Sequence, residues 1–412
     1  MRKFILTILG ITGGVLQMQG QLNQNQAANT VQLNTITTAV PFLMIGPDSR
    51  SGAMGDAGVA LSPDVNAIFW NAAKLGFVEN EVELSLSYSP WLRTLVQDMN
   101  LAYLSGYKKI NKRSAFGGSL RYFSLGDITF TDEQGNDIRT FEPSELGIDV
   151  AYGIQLSDNF SGGIAARFIN SNLTGGTNVG GSNSKPGRSI AADVSLFYTK
   201  EIADIAGKDA VFNSGLNISN IGTKMSYTDA GEQDFIPTNL KLGSALQLEL
   251  DKTNDITVQV EFNKLLVPTP PVYAVDESGN TIFNPQTGRP VVAQGRDPDV
   301  SVASGIFGSF NDAPGGFKEE LREINIGGGL EYWYDKQFAF RAGYFYEHPT
   351  KGNRQYITMG AGVVYSLLAI DMSYLISTTN NNPLANTLRF TLRLNIDKEA
   401  AREIKDKAKE GN

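Results

Sequence analysis

The stretch LRFTLRLNI, residues 388–396, alternates without exception between large apolar and polar side chains. A period of two is typical of a β-strand whose two faces meet different surroundings. The apolar face carries no charge, whereas the other face carries Arg389 and Arg393. An outward-facing cation at the centre of a bilayer would cost roughly 2–4 kcal/mol. The pattern therefore predicts a membrane-spanning strand with both arginines on its inner face.

The same alternation recurs along the chain. It is clear in residues 146–154, 190–198 and 256–263, and further strand candidates begin near Glu81, Met99, Ser114, Phe160, Val211, Thr238, Arg322, Gln337, Tyr356 and Leu368. The candidates are mostly about nine to twelve residues long. A tilted transmembrane strand needs about 9–11 residues, whereas strands of soluble β-proteins average about 5–6. The fourteen candidates therefore favour a barrel over a secreted β-sandwich.

The connections between these candidates alternate in length. Long connections are predicted at 124–143, 171–187, 221–237 and 266–321, and short ones at 109–112, 155–158, 251–253 and 335–336. Residues 200–210 are an exception, a long connection where a short one is expected. Outer-membrane barrels combine an even strand number with long external loops and short periplasmic turns. The sequence thus predicts an all-β fold, a 14-stranded antiparallel transmembrane β-barrel over residues 81–396, placed in the outer membrane.

The two ends of the chain lie outside this pattern. Residues 1–20 begin with Arg2 and Lys3, continue with an apolar stretch and end in a small residue, as a secretion signal does. Residues 21–80 are predicted to form a periplasmic lead-in followed by a plug folded into the lumen. Residues 397–412 carry five cations and five anions and indicate a short charged periplasmic tail. Both termini are therefore expected in the periplasm.

Composition excludes several classes of function. Removing Arg2 and Lys3 with the signal changes the net charge from −8 to −10, and no cluster of basic residues is present. Nucleic acid is therefore a poor candidate partner, because phosphate binding needs a basic face. The chain has no cysteine, which removes disulfides, thiolate metal sites and a thiol nucleophile.

The plug segment carries a family resemblance. Residues 41–60, PFLMIGPDSRSGAMGDAGVA, and residues 67–75, AIFWNAAKL, resemble the N-terminal hatch of the FadL-like barrel superfamily. Within that superfamily they resemble the PorV family, also called LptO, the outer-membrane barrels of the type IX secretion system. One departure is Ala72, where the superfamily usually has proline after the asparagine.

The resemblance identifies hatch residues that are expected to seal and brace the barrel, although a ligand or signalling role stays open. Glycines permit close backbone approach inside a narrow lumen. The charged residues are expected to bond inward-facing groups such as Arg389 and Arg393. The candidates are Asp48, Arg50, Gly55, Asp56, Gly58, Asn66, Trp70 and Asn71.

The largest predicted external loop, residues 266–321, combines seven prolines with exposed apolar candidates. Loops longer than about 15 residues are usually functional or disordered, and aromatic side chains on a stiff loop suit protein recognition. A lid over the barrel is the equally weighted alternative. The partner-binding candidates are Pro268, Pro270, Tyr273, Phe283, Phe307 and Phe310.

Catalytic chemistry finds no support in the sequence. The single histidine, His348, precedes a proline in a predicted loop, and no cysteine or second histidine exists to pair with it. The similar stretches 132–136 and 276–280, both Asp-Glu-x-Gly-Asn, are better explained as hairpin tips than as cation sites. The chain is therefore expected not to be an enzyme and to need no cofactor or metal.

The resemblance implies a role in protein secretion. A PorV-like barrel is expected to bind cargo proteins with C-terminal secretion domains at a large translocon barrel. It then shuttles them to a sortase-like attachment complex at the cell surface, in contact with outer-membrane lipid. The alternative is a FadL-like transporter of fatty acids or other hydrophobic molecules. The predicted inner faces are too polar for an obvious fatty-acid path: they carry Asp149, Arg167, Asp193, Gln259, Glu261, Arg341, Arg389 and Arg393. A purely structural barrel is the third possibility.

Overall fold

A computed structural model describes residues 33–396, apart from short gaps at 94–95, 97, 132–133, 177, 180–181, 206, 229–232 and 380–383. The chain divides into two compact units, residues 1–33 and 34–412. Only Leu33 of the first unit is among the described residues. The predicted signal and the charged tail at 397–412 lie outside the described residues, as does most of the predicted lead-in.

Fourteen long strands, labelled β1 to β14 in chain order, form the wall. They are Val82–Pro90, Asn100–Asn111, Ser114–Ser124, Ser144–Gln155, Phe160–Asn172, Gly187–Ile205, Lys208–Gly222, Asn239–Glu249, Asn254–Leu265, Asn325–Tyr334, Phe338–Tyr346, Gln355–Tyr365, Leu368–Ser377 and Leu388–Asn395. Within the described residues they form one closed sheet. Every neighbouring pair is antiparallel, and β1 pairs with β14 through Leu86 and Leu392. The predicted 14-stranded antiparallel barrel is therefore confirmed.

Each strand begins within three residues of its predicted start. The largest displacements include β10, which begins at Asn325 rather than near Arg322 because a short helix occupies residues 317–322. The predicted long connection at 200–210 is wrong. β6 and β7 continue through this region as a paired ribbon, with Ile205 opposite Lys208. The connection between β6 and β7 is therefore short, as the alternation of long and short connections requires.

Side chains alternate across the wall as the sequence predicts. In β1, Ser85 and Ser87 are buried toward the lumen while Leu84 and Leu86 are exposed on the outside. Outside, exposed apolar side chains surround the barrel and form what we call the lipid-facing belt. It includes Leu86, Leu104, Leu120, Ile148, Val150, Ile164, Val194, Leu242, Val258, Val260, Phe262, Ile326, Leu330, Phe340, Ile357, Ile370 and Leu392.

In the part of the chain that the structure describes, helices are few and short. Helices α1 to α4 comprise Ser49–Gly52, Ala67–Trp70, Val302–Gly308 and Phe317–Arg322, and two 3₁₀ segments comprise Pro41–Met44 and Ala72–Phe77. No helix in the described part of the chain has the length and apolar character to cross a membrane. α1, α2 and both 3₁₀ segments belong to residues 39–78, here called the plug. α3 and α4 belong to the long loop, residues 266–324.

The long connections all lie at one end of the barrel, the long-loop end. Small two-stranded hairpins project there, pairing Ile128–Thr131 with Asp137–Phe141, Asn178–Val179 with Ser182–Asn183, and Val272–Tyr273 with Val292–Gln294. The first two of these pairs belong to the connections that follow β3 and β5. The third belongs to the long loop, which therefore has secondary structure of its own.

The segment leading into the plug also lies at the long-loop end. Asn34 N–H donates to the Thr350 carbonyl at 3.0 Å, and Ala39 N–H donates to the Phe235 carbonyl at 2.9 Å. Both acceptors lie in loops of that end. Hydrogen bonds to distant loops thus hold residues 34–39 at the long-loop end, which differs from the periplasmic position that the sequence predicted for the lead-in.

Candidate functional site: the plug and the outer cavity

The plug fits the lumen because the wall offers glycine where the two backbones meet. A Cβ atom at Gly163 of β5 would lie 2.2 Å from the Ala73 nitrogen, and one at Gly343 of β11 would lie 2.2 Å from the Gly55 nitrogen. Within the described residues, nine inward-facing glycines on eight strands lie where an added Cβ would come closer than about 3 Å to an atom of the plug. They are Gly117, Gly153, Gly163, Gly215, Gly243, Gly327, Gly329, Gly343 and Gly360.

Sequence reasoning did not select these wall glycines. A usable signal exists, because each occupies an inward position of an alternating strand, where a porin-like wall would carry a polar side chain. Within the plug, only Gly55 of the two glycine candidates has a positive φ, at 77°. The Gly55 amide donates to the Thr358 hydroxyl at 3.0 Å. Gly55 is thus required both by backbone conformation and by close approach.

Arg50 joins the plug to the wall through buried charge. Its Nε and Nη2 donate to the two carboxylate oxygens of Glu331 in β10, at 3.0 and 2.8 Å, and its Nη1 donates to Asp64 at 3.1 Å. Arg341 of β11 also donates to Glu331, at 2.6 Å. A bidentate arginine–carboxylate pair has directional as well as electrostatic specificity. Arg50 therefore fixes the orientation of α1 within the barrel.

Asp56 makes the second charged contact with the wall. Arg389 of β14 donates to its two carboxylate oxygens at 2.5 and 3.2 Å, and the Tyr356 hydroxyl of β12 donates at 2.5 Å. The contact with Arg389 was anticipated from the sequence. Arg393, anticipated beside it, instead pairs with Asp371 and Glu83 of the wall. Its carboxylate partners lie on the two neighbouring strands, β13 and β1.

The remaining candidates divide between internal and wall contacts. Asp48 accepts from the Trp70 indole at 2.6 Å and from the Ser51 amide at 2.9 Å, so both of these bonds stay within the plug. The amides of Gly58 and Val59 donate to Glu261 of β9 at 2.7 and 2.8 Å. A carboxylate that accepts two backbone amides replaces the water those amides lose on burial.

Asn66 and Asn71 hold the end of the plug. The Ser105 hydroxyl of β2 donates to the Asn66 side chain at 3.2 Å. Asn71 donates to the carbonyls of Val59 and Leu196, while its side-chain oxygen accepts from the Ala73 amide. Asn71 thereby links two parts of the plug to β6. This local hydrogen bonding defines the turn at Ala72.

A cavity of about 560 Å³ opens above the plug at the long-loop end. We call it the outer cavity. The plug forms its floor, and loops and strand ends form its sides. Its apolar lining is Pro41, Phe42, Met44, Ile45, Trp70, Trp91, Leu92, Met99, Phe123, Phe345, Leu375 and Leu384, and its polar lining includes Asn239, Lys241, Asn263, Asn325, Asn353, Arg354, Tyr356 and Arg389.

The cations of the outer cavity have carboxylate partners. Arg354 in the loop after β11 donates from Nε and Nη2 to the two oxygens of Glu347, at 2.8 and 2.6 Å. Burial by itself would lower the pKa of Arg354. The hydrogen bonds and the charge of Glu347 raise it by more, so the pKa lies above its usual value. Arg354 therefore stays charged at the rim. Lys241 lies 4.1 Å from the Trp70 ring centroid and 3.9 Å from Glu261.

The six loop candidates do not form one surface. Pro268 and Pro270 are half-buried: Pro268 lies against α3 beside Gly305, and the Pro270 carbonyl accepts from Asn34. Both prolines therefore brace the loop. The four aromatic candidates are exposed, from 37% to 80% of their surface, in the order Tyr273, Phe310, Phe283 and Phe307.

Two further loop features were singled out in the sequence. The carboxylate of Asp276 accepts from the amides of Ser278 and Asn280 at 2.9 Å, which is turn geometry, as predicted for residues 276–280. His348 lies in the loop after β11, where its Nδ1 contacts the Thr350 hydroxyl at 2.8 Å. Burial, Arg322 and Lys351 lower its pKa. Among the described residues, no acidic, histidine or cysteine cluster has the geometry of a metal site.

These observations define a class: an outer-membrane β-barrel of fourteen strands with a plug in its lumen. A family model described as "Type IX secretion system protein PorV" matches residues 27–272. The chain belongs to this family and is thus a component of type IX secretion located in the outer membrane. The family and its fold are those of non-enzymatic proteins.

Solved structures with a similar fold are distant in sequence. The toluene transporter TodX of Pseudomonas putida shares 12% identity at a TM-score of 0.47, over 88% of this chain and 98% of that one. A FadL homologue of Pseudomonas aeruginosa shares 12% identity at a TM-score of 0.39, over 88% of this chain and 99% of that one. No curated protein sequence matches this chain.

Proposed function

We propose that this barrel receives cargo proteins with C-terminal secretion domains as they leave the translocon barrel, and passes them to a sortase-like attachment complex at the cell surface. It does so by binding, without catalysis and without a cofactor. The observation that carries the proposal is the outer cavity, which opens at the long-loop end and has the plug as its floor. A cavity of this shape suits capture from outside.

The arrangement of charge below the cavity supports binding rather than conduction of protein. Arg50 and Asp56 tie the plug to Glu331 and Arg389 on separate strands. Removing one partner of a buried ion pair typically costs about 3–5 kcal/mol. Displacing the plug would break both pairs together, so a folded protein has no low-energy path through the lumen.

The exposed aromatics of the hairpin in the long loop supply a second contact for cargo or attachment machinery. Tyr273 and Phe283 are exposed over 37% and 57% of their surface. Backbone hydrogen bonds between Ala274 and Val291, and between Ile282 and Val291, hold the hairpin in shape. Aromatic side chains on a preorganised backbone lose little entropy on binding. They are therefore suitable recognition residues at the long-loop end.

Site-specific photo-cross-linking tests the cavity. A photoreactive residue replaces Ile45, which lines the outer cavity, and Leu392 of the lipid-facing belt serves as the control. In secreting cells, the label at position 45 is expected to form adducts with secretion-domain cargo. Adducts at 45 that contain only lipid, or cargo adducts of equal yield at 392, would contradict the proposal.

A paired variant tests the hairpin. Tyr273→Ser with Phe283→Ser is expected to reduce cargo release to the cell surface, while the amount of folded barrel in the outer membrane stays unchanged. The control is Val275→Ser on the same hairpin, which removes an exposed apolar side chain without an aromatic ring. Normal secretion by the paired variant would remove the hairpin from the proposal and leave the cavity.

The alternative function, transport of hydrophobic small molecules, is favoured by the apolar half of the same cavity. Phe42, Ile45 and Trp91 offer a surface that a small apolar ligand would contact. Against it, the wall around the plug buries many charged side chains, including Asp149, Arg167, Asp193, Glu261 and Arg341. Uptake of a labelled fatty acid by cells with and without the protein distinguishes the two: a difference in uptake with normal cargo secretion would support transport.

A further inference from the structure

Helix α4 of the long loop packs on the outside of the barrel wall. Lys264 of β9 follows the outward-facing residues Val258, Val260 and Phe262 at intervals of two. It pairs with Leu240 of β8 without a shift of register, so the alternation of inward and outward positions continues to Lys264. Such a position faces away from the lumen. Lys264 is nevertheless only 7% exposed. Its burial shows that part of the loop covers the outer surface at this point.

The cover comes from acidic residues of α4 and the residue after it. The Lys264 Nζ lies 3.0 Å from Glu320 and 2.6 Å from Glu323. Lys351 pairs with Glu323 at 2.9 Å and with Glu319 at 2.6 Å. We call these five residues the anchor cluster. In this cluster all three glutamates of residues 317–323 form ion pairs, either with Lys264 of the barrel wall or with Lys351 of the loop after β11.

The other side of α4 is apolar and basic. Phe317 and Leu321 are exposed over 76% and 52% of their surface. Four residues apart on a helix, they are neighbours on one face. Lys318 and Arg322 follow them in sequence and therefore form an adjacent basic strip. Within the part of the chain that the structure describes, no ion pair involves Lys318 or Arg322, so their charges are available to a ligand.

The position of α4 relates this face to the lipid-facing belt. Phe262, a belt residue, precedes Lys264 by two residues, which is about 7 Å along a strand. Phe262 of β9 is paired with Ile326 of β10, which is another belt residue and lies only four positions after Arg322. α4 thus lies at the margin of the belt on the long-loop side, where an outer-membrane barrel meets the lipid headgroups.

We propose that α4 is a lipid-binding helix, in which Phe317 and Leu321 insert into the outer leaflet while Lys318 and Arg322 contact anionic, phosphate-bearing headgroups. Interfacial helices bind by this combination of buried apolar side chains and basic residues beside them. Long basic side chains reach the headgroup level while their stems remain in apolar surroundings. The anchor cluster would couple lipid contact to the position of the long loop.

Lipid fits this face better than a protein partner because of its surroundings. The exposed aromatic Phe283 lies in the projecting hairpin, and its neighbours at 280–282 and 284–289 are mostly exposed polar or small residues. Phe317 and Leu321 instead continue the apolar belt. Phe310, whose ring centroid lies 5.9 Å from the Lys264 Nζ, belongs to the same outer side.

Spin labelling tests the proposal directly, because the chain has no cysteine and single-cysteine variants carry one label each. The full-length protein is reconstituted in phosphatidylcholine vesicles with and without phosphatidylglycerol. Leu321→Cys is compared with Phe262→Cys in the belt and Phe283→Cys in the hairpin. The label at 321 is expected to be accessible to dissolved oxygen, as at 262, and several-fold less accessible to a nickel chelate than at 283.

The charge requirement is tested in the same vesicles. With Lys318→Glu and Arg322→Glu added to Leu321→Cys, the label is expected to move toward water, and phosphatidylglycerol should no longer increase its depth. Heat-dependent gel mobility verifies that each variant is a folded barrel. A label at 321 as accessible to nickel as that at 283 would overturn the proposal. A label shielded from both reagents would also overturn it, by indicating a second copy of the chain.

Discussion

The plug and the long loop are both fixed by buried ion pairs, yet they present opposite surfaces. Arg50 and Asp56 hold the plug where Asp48, Arg50 and Trp70 are at most 7% exposed. Lys264 and Lys351 hold the long loop, but Phe307 and Phe317 remain at least 76% exposed. Buried charge sets geometry in both regions. Of the two regions, the long loop displays large apolar side chains on the outside of the molecule, whereas the plug contributes its apolar side chains to the floor of the outer cavity.

The largest effect is expected from removing the charge that the plug shares with the wall. Glu331→Gln leaves Arg50 and Arg341 without their common carboxylate charge. Loss of one partner of a buried pair costs about 3–5 kcal/mol, and denaturant unfolding of the refolded barrel measures it. The control is Asp158→Asn in the exposed pair with Arg113, worth about 0–1 kcal/mol. Equal effects of the two variants would contradict the distinction between interior and surface charge.

The next effect concerns the long loop alone. Lys264→Met removes the cation shared by Glu320 and Glu323 and is expected to destabilise the loop locally by about 2–5 kcal/mol. Limited proteolysis between residues 266 and 324 should accelerate at least about tenfold, since roughly 1.4 kcal/mol corresponds to that factor. The barrel itself should keep its heat-dependent mobility. Arg289→Met, in an exposed pair with Asp299, is the control and should leave the cleavage rate nearly unchanged.

A smaller effect tests whether backbone fit, beside charge, seats the plug. Gly163→Val adds a side chain on the inward face against the Ala73 backbone, whereas Gly162→Val adds it on the outward face of the same strand, 3.5 Å from Leu156. Overpacking costs about 1–3 kcal/mol. The inward variant should reach the upper end of this range because the new side chain meets backbone atoms of Ala73, which cannot rotate away as a side chain can. If both variants unfold at the same denaturant concentration, the wall glycines do not determine the plug's position.

The smallest effect is a pH dependence of the anchor cluster. Burial raises the pKa of Glu319, but hydrogen bonds from Lys351, Asn34 and the Gly315 amide, with the Lys351 charge, lower it more, so the pKa falls below its ordinary 4.5. Its stabilising contribution is therefore present above pH 4.5 and is lost as the pH falls through the lowered pKa. Proteolysis of the long loop should rise in that range.

Glu319→Gln supplies the comparison for this measurement. The burial of Asp312 raises the pKa of that nearby carboxyl, so its contribution changes in the opposite sense with pH. The difference between the native chain and Glu319→Gln isolates the part due to Glu319. An acid-induced rise in cleavage of the same size in both proteins would rule out Glu319 as the responsible group.

Local patterns predicted much of the fold. Alternation at residues 388–396 and in thirteen other stretches identified the strands because the face of a strand is set by a period of two, whatever it pairs with. The sequence also placed Asp149, Arg167, Glu261 and Arg389 on inner faces, and all are buried there. The 200–210 connection was misjudged because a barrel strand that continues beyond the membrane loses the alternation that marks it.

Only part of the candidate site could be predicted from local sequence patterns. The hatch motif gave the residues of the plug, and one contact, Asp56 with Arg389, could be anticipated. The partner of Arg50 could not, because Glu331 is 281 positions away and its approach depends on the barrel closing. The outer cavity was equally inaccessible, since its lining comes from the plug, three loops and several strand ends.

By itself, the sequence determined the strand number, the inner and outer faces and the presence of a plug, because these follow from side-chain periodicity and a local motif. The tertiary structure alone decided that residues 34–39 lie at the long-loop end, that wall glycines receive the plug, and that α4 covers Lys264 on the outside. These features depend on contacts between residues far apart in the chain. Barrel closure brings such residues together, and no local pattern records it.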